Sequence, residues 1–177
     1  MDSFKKFISE GPNDPAIFKA IFLAGGPGSG KSFMVQETGL KALGFKVVNS
    51  DIPFEKAMEK AMMKMDAESI FSAAGQAARQ SAKKLTGALM DGYLTGRLGL
   101  VIDGTGKNFD KIKSQASELK KLGYDVSMIF VNTDLDTAIS RNDNRPRSLP
   151  TQEVVKFWKD VQKNIGKFQG FFSQNFI

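Results

Sequence analysis

Eight consecutive residues carry the most specific chemistry in the chain: Gly25-Gly26-Pro27-Gly28-Ser29-Gly30-Lys31-Ser32. Gly25, Gly30, Lys31 and Ser32 match the spacing G-x-x-x-x-G-K-[ST] of a phosphate-cradling loop. Each residue type has a reason. Glycines admit positive φ and let the backbone approach a phosphate closely. Successive backbone N–H groups form an anion nest, and the helix that follows adds the positive end of its dipole. In such a loop Lys31 reaches the β- and γ-phosphates, and the Ser32 hydroxyl binds Mg²⁺. Phe33, the next residue, completes the stretch expected to contact nucleotide. The opposing reading is a glycine-rich turn with an incidental lysine. The flanking elements weigh against it, because Ile17–Ala24 is a short apolar run and the segment after Lys31 favours helix.

Two aspartates stand where open α/β sheets bind their ligands, at the carboxyl ends of strands. Asp51 ends the stretch Val47-Val48-Asn49-Ser50, and Asp103 ends Leu100-Val101-Ile102. One would accept a proton from an attacking hydroxyl, and the other would hold Mg²⁺ or its water shell. A capping role competes at Asp51, which precedes a helix-forming segment. A third set is Arg141, Arg145 and Arg147. Arg141 and Arg145 are four apart and share a helix face if the helix persists. Like charges on adjacent turns fit a clamp on a transferring phosphoryl group, and they fit a solvated basic surface equally simply.

These residues need a scaffold that brings strand ends together. Apolar runs at 17–24, 45–49, 98–102 and 124–131 read as strands, with helical segments between them. The spacing predicts helices over 31–40, 53–96, from Asn108 to Gly123, from Thr133 or Asp134 towards Asn144, and over 151–165. Gly75, Gly87 and Gly92 are expected to divide the segment 53–96 into two or more helices. Phe4, Phe7 and Ile8 are spaced for a short amphipathic helix, broken by Gly11-Pro12-Asn13-Asp14-Pro15. Alternating strands and helices imply right-handed crossovers, hence an α/β fold in three layers: a mainly parallel sheet with helices on both faces. With no repeat and no linker, residues 1–177 are expected to form one domain. Phe168, Phe171, Phe172 and Phe176 read as core or as a subunit contact. Met58, Met62, Met63 and Met65 read as packing residues.

Composition removes several chemistries. The 177 residues contain no cysteine and no histidine, so thiolate, Ser–His and Cys–His catalysis are excluded. Acid–base work falls to Asp, Glu, Lys or water. The net charge of +6 suits either solubility or anionic partners. No apolar run has the length of a membrane span, and the first residues lack the apolar stretch of a secretory signal, so the expected location is cytoplasmic.

With the three sets in place, the chain resembles the small P-loop kinases, particularly polynucleotide 5′-kinases and the zeta-toxin family, over roughly residues 19–155. Val48-Asn49-Ser50-Asp51 is similar to the kinases' second strand, whose terminal aspartate is the general base. Ile102-Asp103-Gly104-Thr105 is similar to the third-strand motif beside the substrate. Arg141-Asn142-Asp143-Asn144-Arg145, with Leu149-Pro150, is similar to the polynucleotide-kinase lid, here 141–150. The resemblance implies an ATP- and Mg²⁺-dependent kinase in which Lys31, Asp51, Arg141 and Arg145 are catalytic, and Ser32 and Asp103 serve the metal. It implies a nucleic-acid 5′ end, a nucleotide or a sugar nucleotide as acceptor, bound by the helical region 53–97. Arg79 and Lys83, one turn apart beside Gln76 and Lys84, either bind an anionic acceptor or form a solvated helix face. Ile52-Pro53-Phe54-Glu55 departs from the arginine-bearing sequence of polynucleotide kinases, and Gly104-Thr105-Gly106-Lys107 leans to the zeta-toxin side. The rivals are an ATPase without an acceptor and a nucleotide-binding module without turnover. A guanine-specific switch is disfavoured because no Asn-Lys-x-Asp occurs.

Overall fold

The computed structural model describes residues 16–145 and 148–177. The expected helix at Phe4, Phe7 and Ile8, its break at 11–15, and Pro146 and Arg147 lie outside those residues. The chain divides into two compact units, one of residues 1–47 with 97–177 and one of Val48–Gly96.

The first unit is built on a sheet. β1 (Lys19–Ala24) lies at its centre, with β3 (Leu100–Asp103) on one side and β4 (Asp125–Phe130) on the other. β2 (Lys46–Val48) completes the order β2-β3-β1-β4. β1 is parallel to both of its neighbours, with Leu23 opposite Asp103 and opposite Ile129. Every residue of β1 is buried, which explains its unbroken apolar composition. Side chains alternate between two helical layers. Ile21, Leu23, Val101 and Ile129 face Val35 of α1 (Lys31–Glu37) and Leu40. Phe22 meets the ring of Phe172, 6.0 Å away, on α8 (Ile165–Phe172). On the same side α5 (Phe109–Lys121) buries Ala116 and Leu119, which lie on one face of the helix. α6 (Leu135–Asp143) and α7 (Thr151–Gln162) complete this unit's helices among the described residues. The parallel sheet with helices on both sides is the expected α/β layering.

Several boundaries differ for identifiable reasons. α1 stops at Glu37, because Thr38 turns its hydroxyl back onto the carbonyls of Met34 and Val35, and Gly39 adopts φ 64°. α7 ends at Gln162, and the phenylalanine tail forms a separate helix beyond Asn164. Phe168 and Phe172 are core, which settles that expectation for the tail's helical part. Phe176 and Ile177 then pair with Met128 and Phe130 along β4.

The second unit holds α2 (Asp51–Lys60), α3 (Ala67–Phe71) and α4 (Ala73–Thr95) around Phe54, Met58, Ile70 and Ala82. The breaks do not fall at the expected glycines. They fall at Met62, where φ is 53°, and at Ser72, whose hydroxyl caps α4 through the Gly75 N–H. Gly75 sits in the first turn of α4 because a Cβ there would collide with the Ser69 carbonyl. Gly87 and Gly92 lie within an unbroken helix. Met58, Met63 and Met65 pack as expected, whereas Met62 is 93% exposed. Among the described residues no helix is long and apolar enough to cross a membrane.

Candidate functional site

The phosphate loop is clasped from both sides by backbone. Gly25 N–H donates to the Thr105 carbonyl at 3.1 Å, on the loop after β3. On the other side the Val131 N–H donates to Ala24 O at 2.8 Å, after β4. The glycines are required by proximity as well as by dihedral angle. A Cβ on Gly25, where φ is 153°, would lie 2.6 Å from the Val131 carbonyl. One on Gly28, where φ is 77°, would collide with the Ala138 carbonyl of α6. Gly30, at φ 97°, is the N-cap of α1. Behind the loop, the Cα of Trp158 on α7 comes within 3.7 Å of a Cβ built on Gly26.

Lys31 leaves the first position of α1 and folds back over the loop, donating from Nζ to Gly25 O at 2.6 Å and Gly26 O at 3.3 Å. Ser29 Oγ is buried without a hydrogen-bond partner, an orphaned polar atom inside the loop. Ser32 and Phe33 are exposed on the first turn of α1. Positive-φ glycines, a lysine ammonium and an orphaned hydroxyl within one loop fit a polyphosphate chain. Asp103 is the last residue of β3, and Gly104 N–H donates to the Leu23 carbonyl at 3.2 Å. The carboxyl end of β3 is thereby stitched to the strand that feeds the phosphate loop. The Ser32 hydroxyl and the Asp103 carboxylate are oxygen donors, the set suited to a hard divalent cation such as Mg²⁺.

Arg141 comes to the loop from α6. Its Nη1 is 3.5 Å from the Ser29 carbonyl and 3.5 Å from a Cβ built on Gly30. Arg145 does not share its face. α6 ends at Asp143, and the Asn144 side chain donates back to the Ser140 carbonyl, so Arg145 lies exposed in the following bend. A proline at 146 disfavours helical backbone at the residue before it, which explains the stop. Arg147 lies outside the described residues.

Asp51 belongs to the second unit, as the first residue of α2. Its N–H is bound by Asn49 Oδ1 at 2.6 Å, and its side chain is exposed. Ser50 occupies the N-cap position, so Asp51 is not the cap. On α4, Arg79 lays its guanidinium over the Phe54 ring at 4.4 Å, and Gln76 donates to the Ile70 carbonyl. Lys83 and Lys84 are exposed.

Three residues to which the sequence assigns no individual role hold the surrounding segments together. Asn142, 1% exposed, donates to Leu149 O at 2.8 Å and accepts from Leu149 N at 3.0 Å, clamping the chain on both sides of Arg145. Trp158 donates from Nε1 to the Thr133 carbonyl at 2.9 Å, holding α7 to the loop after β4. Asn164 donates to the carbonyls of Gly106 and Lys107, tying the start of α8 to the loop after β3. Residue type alone marks none of these, because the partner of Asn142 lies beyond the end of its helix and those of Trp158 and Asn164 are distant along the chain.

Solved structures share this fold. Over 89% of the chain it superposes on 48% of a chain in the Pnkp1/Rnl/Hen1 RNA repair complex, with TM-score 0.66 and 19% identity. A chain of the PezAT chromosomal toxin–antitoxin system of Streptococcus pneumoniae matches with TM-score 0.63 and 16% identity, covering 97% of this chain and 73% of that one. AvrRxo1-ORF1:-ORF2 with ATP matches with TM-score 0.65 and 17% identity, over 88% of this chain and 50% of that one. The chain thus spans about half the length of two of these neighbours. No curated protein matches it in sequence. Residues 21–164 match an AAA domain family, a stretch that contains the phosphate loop, both aspartates and Arg141. The chain belongs to that AAA domain family, AAA_33, and has a P-loop NTPase-like fold.

Proposed function

We propose that the protein is an ATP- and Mg²⁺-dependent kinase that transfers the γ-phosphoryl group to a hydroxyl of a nucleic-acid 5′ end, a nucleotide or a sugar nucleotide. The observation that carries the reading is Arg141, held over the phosphate loop by a helix distant in sequence. A loop that only binds nucleotide needs its amides and Lys31. A guanidinium above it adds charge where a transferring phosphoryl group spreads its own.

In this reading the amides of Gly25 to Ser32 and Phe33 and the Lys31 ammonium hold the phosphates. Ser32 and Asp103 would hold Mg²⁺, which would supply charge neutralisation to the phosphates. Asp51 accepts the proton of the attacking hydroxyl. The acceptor O–P bond forms, the bond between the γ-phosphorus and the bridging oxygen breaks, and ADP leaves. Arg141 and Arg145 stabilise the charge on the group in flight. The helical region 53–97 selects the acceptor, and 141–150 acts as the lid. The position of Asp51 favours this role: it stands exposed three residues beyond Val48, the last residue of β2.

The test incubates the protein with γ-labelled ATP and separate pools of oligonucleotides, nucleosides, nucleotides and sugar nucleotides. Label entering one pool, and lost on Asp51→Asn with ATP binding retained, is the expected result. Label released only as inorganic phosphate would instead make the protein an ATPase.

A further inference from the structure

We infer that the face built from α5, α7 and α8 is a binding surface for single-stranded nucleic acid, made of residues that the phosphate loop does not use. Four lysine ammoniums are held over aromatic rings on it. Lys107 Nζ lies 4.5 Å from the Phe157 ring centroid, and Lys120 Nζ lies 4.8 Å from that of Phe171. Lys167 and Lys113 both approach Phe109, at 5.8 Å and 6.0 Å. The Phe109 and Phe171 rings meet edge to face at 6.4 Å, so three of the lysines bracket one aromatic ridge. All four lysines are exposed, and the three rings are half-buried. None of the four ammoniums forms an ion pair with a described residue.

Between Lys107 and Lys167 runs an open groove of about 460 Å³, walled by Phe109, with Asn108, Asp110 and Asp160 along it. That volume suits a nucleotide-sized group. The chemistry of the groove separates candidate partners. Carboxylates inside it oppose a phosphate or a lipid headgroup but accept hydrogen bonds from the amino and imino groups of a base. The rings add nothing for an acidic peptide, whereas a base can displace an exposed lysine from a ring face and stack there, leaving the ammonium to meet its phosphate. Lysines spaced along the rim meet the flanking phosphates. Aromatic faces, base-edge acceptors and unpaired cations together describe a strand with accessible bases, and the net charge of +6 has the same sense.

The experiment is fluorescence anisotropy of labelled homopolymeric single strands of DNA and RNA, about 12 nucleotides long, titrated with the full chain over a range of salt. Micromolar binding at low salt is expected. The triple variant K113Q/K120Q/K167Q should weaken it at least tenfold. It should also flatten the slope of log K against log salt by about 2, at about 0.7 for each lysine on a single strand. Phe109→Leu, which preserves bulk and removes the ring, should weaken binding about tenfold without changing the slope. Saturating ATP, followed through Trp158 fluorescence to verify an intact loop, should leave oligonucleotide binding unchanged. The inference is overturned by absent binding, by binding that either variant leaves intact, by heparin binding as tightly as the strands, or by anionic vesicles binding where oligonucleotides do not. Competition by ATP would assign the strand to the phosphate loop and overturn it as well. None of these outcomes depends on phosphoryl transfer, so the kinase reading stands or falls separately.

Discussion

The two units solve different problems with different materials. Around the phosphate loop, position is set by backbone: Gly25 and Gly28 have no room for a methyl group, and neighbouring strands bind the loop's flanks on both sides. In the helical unit, Gly87 and Gly92 face open space, and Ile52, Met62, Phe71, Leu85 and Leu89 are exposed. Backbone contacts hold geometry to tenths of an ångström and tolerate little change. Side-chain packing on three short helices leaves many surface positions free to vary. In the proposed kinase, the contrast would separate phosphate handling in the first unit from acceptor choice in the second.

The comparison can be broken by substitution. The largest effect is expected at Arg141→Ala, which should lower the phosphotransfer kcat about a thousandfold while ATP still binds. Lys83→Ala in the second unit should change the acceptor KM and leave kcat within a few-fold. An equal loss of kcat from both would abolish the division of labour. Next comes Gly28→Ala, which must relieve a collision with Ala138 at positive φ; it should cost about 3 kcal/mol in denaturant melts and abolish nucleotide binding.

Asn142→Ala should cost about 1 kcal/mol, because it removes the partner of both half-buried backbone groups of Leu149. If it also lowers kcat, the clamp positions Arg145; an unchanged kcat limits it to stability. The smallest substitution effect has the opposite sign. Gly87→Ala should stabilise the second unit by about 0.5–1 kcal/mol, since helix propensity improves and nothing lies within 4 Å. A destabilised Gly87→Ala protein would show that α4 is more tightly packed than its surroundings indicate.

Acid offers a comparison with one cap in each unit. The Ser69 backbone N–H, and then its side chain, hold the Asp66 carboxyl below its ordinary value. The Thr137 backbone N–H and side chain do the same for Asp134. A lowered value in the folded state means that each carboxylate contributes fully above the unfolded value, near pH 4. The contribution disappears as pH falls through the lowered one. Asp134→Asn should therefore flatten the decline of Tm between about pH 5 and pH 2 when melting is followed by Trp158, which reports the first unit. Asp66→Asn should leave that signal unchanged.

Much of this architecture was legible as local pattern. A buried strand reads as an apolar run, helix starts at Asn108 and at Thr133 or Asp134 read from side chains that act within three residues, and the phosphate loop reads as eight contiguous residues. The breaks in the helical region were misread, because Gly75 answers to the Ser69 carbonyl rather than to helix propensity. The shared face of Arg141 and Arg145 failed because the helix stops at Asp143, ahead of the proline that follows Arg145.

By itself the sequence determined the phosphate-binding chemistry, the alternation of strands and helices, and hence the α/β class. All of these rest on interactions between near neighbours. Only the tertiary structure decided that Arg141 lies beside Ser29, 112 residues away, that Asn142 clasps Leu149, and that the terminal phenylalanines cover the sheet. Such pairings depend on the crossing of elements in space, and spacing along one segment carries no record of what another segment brings to it.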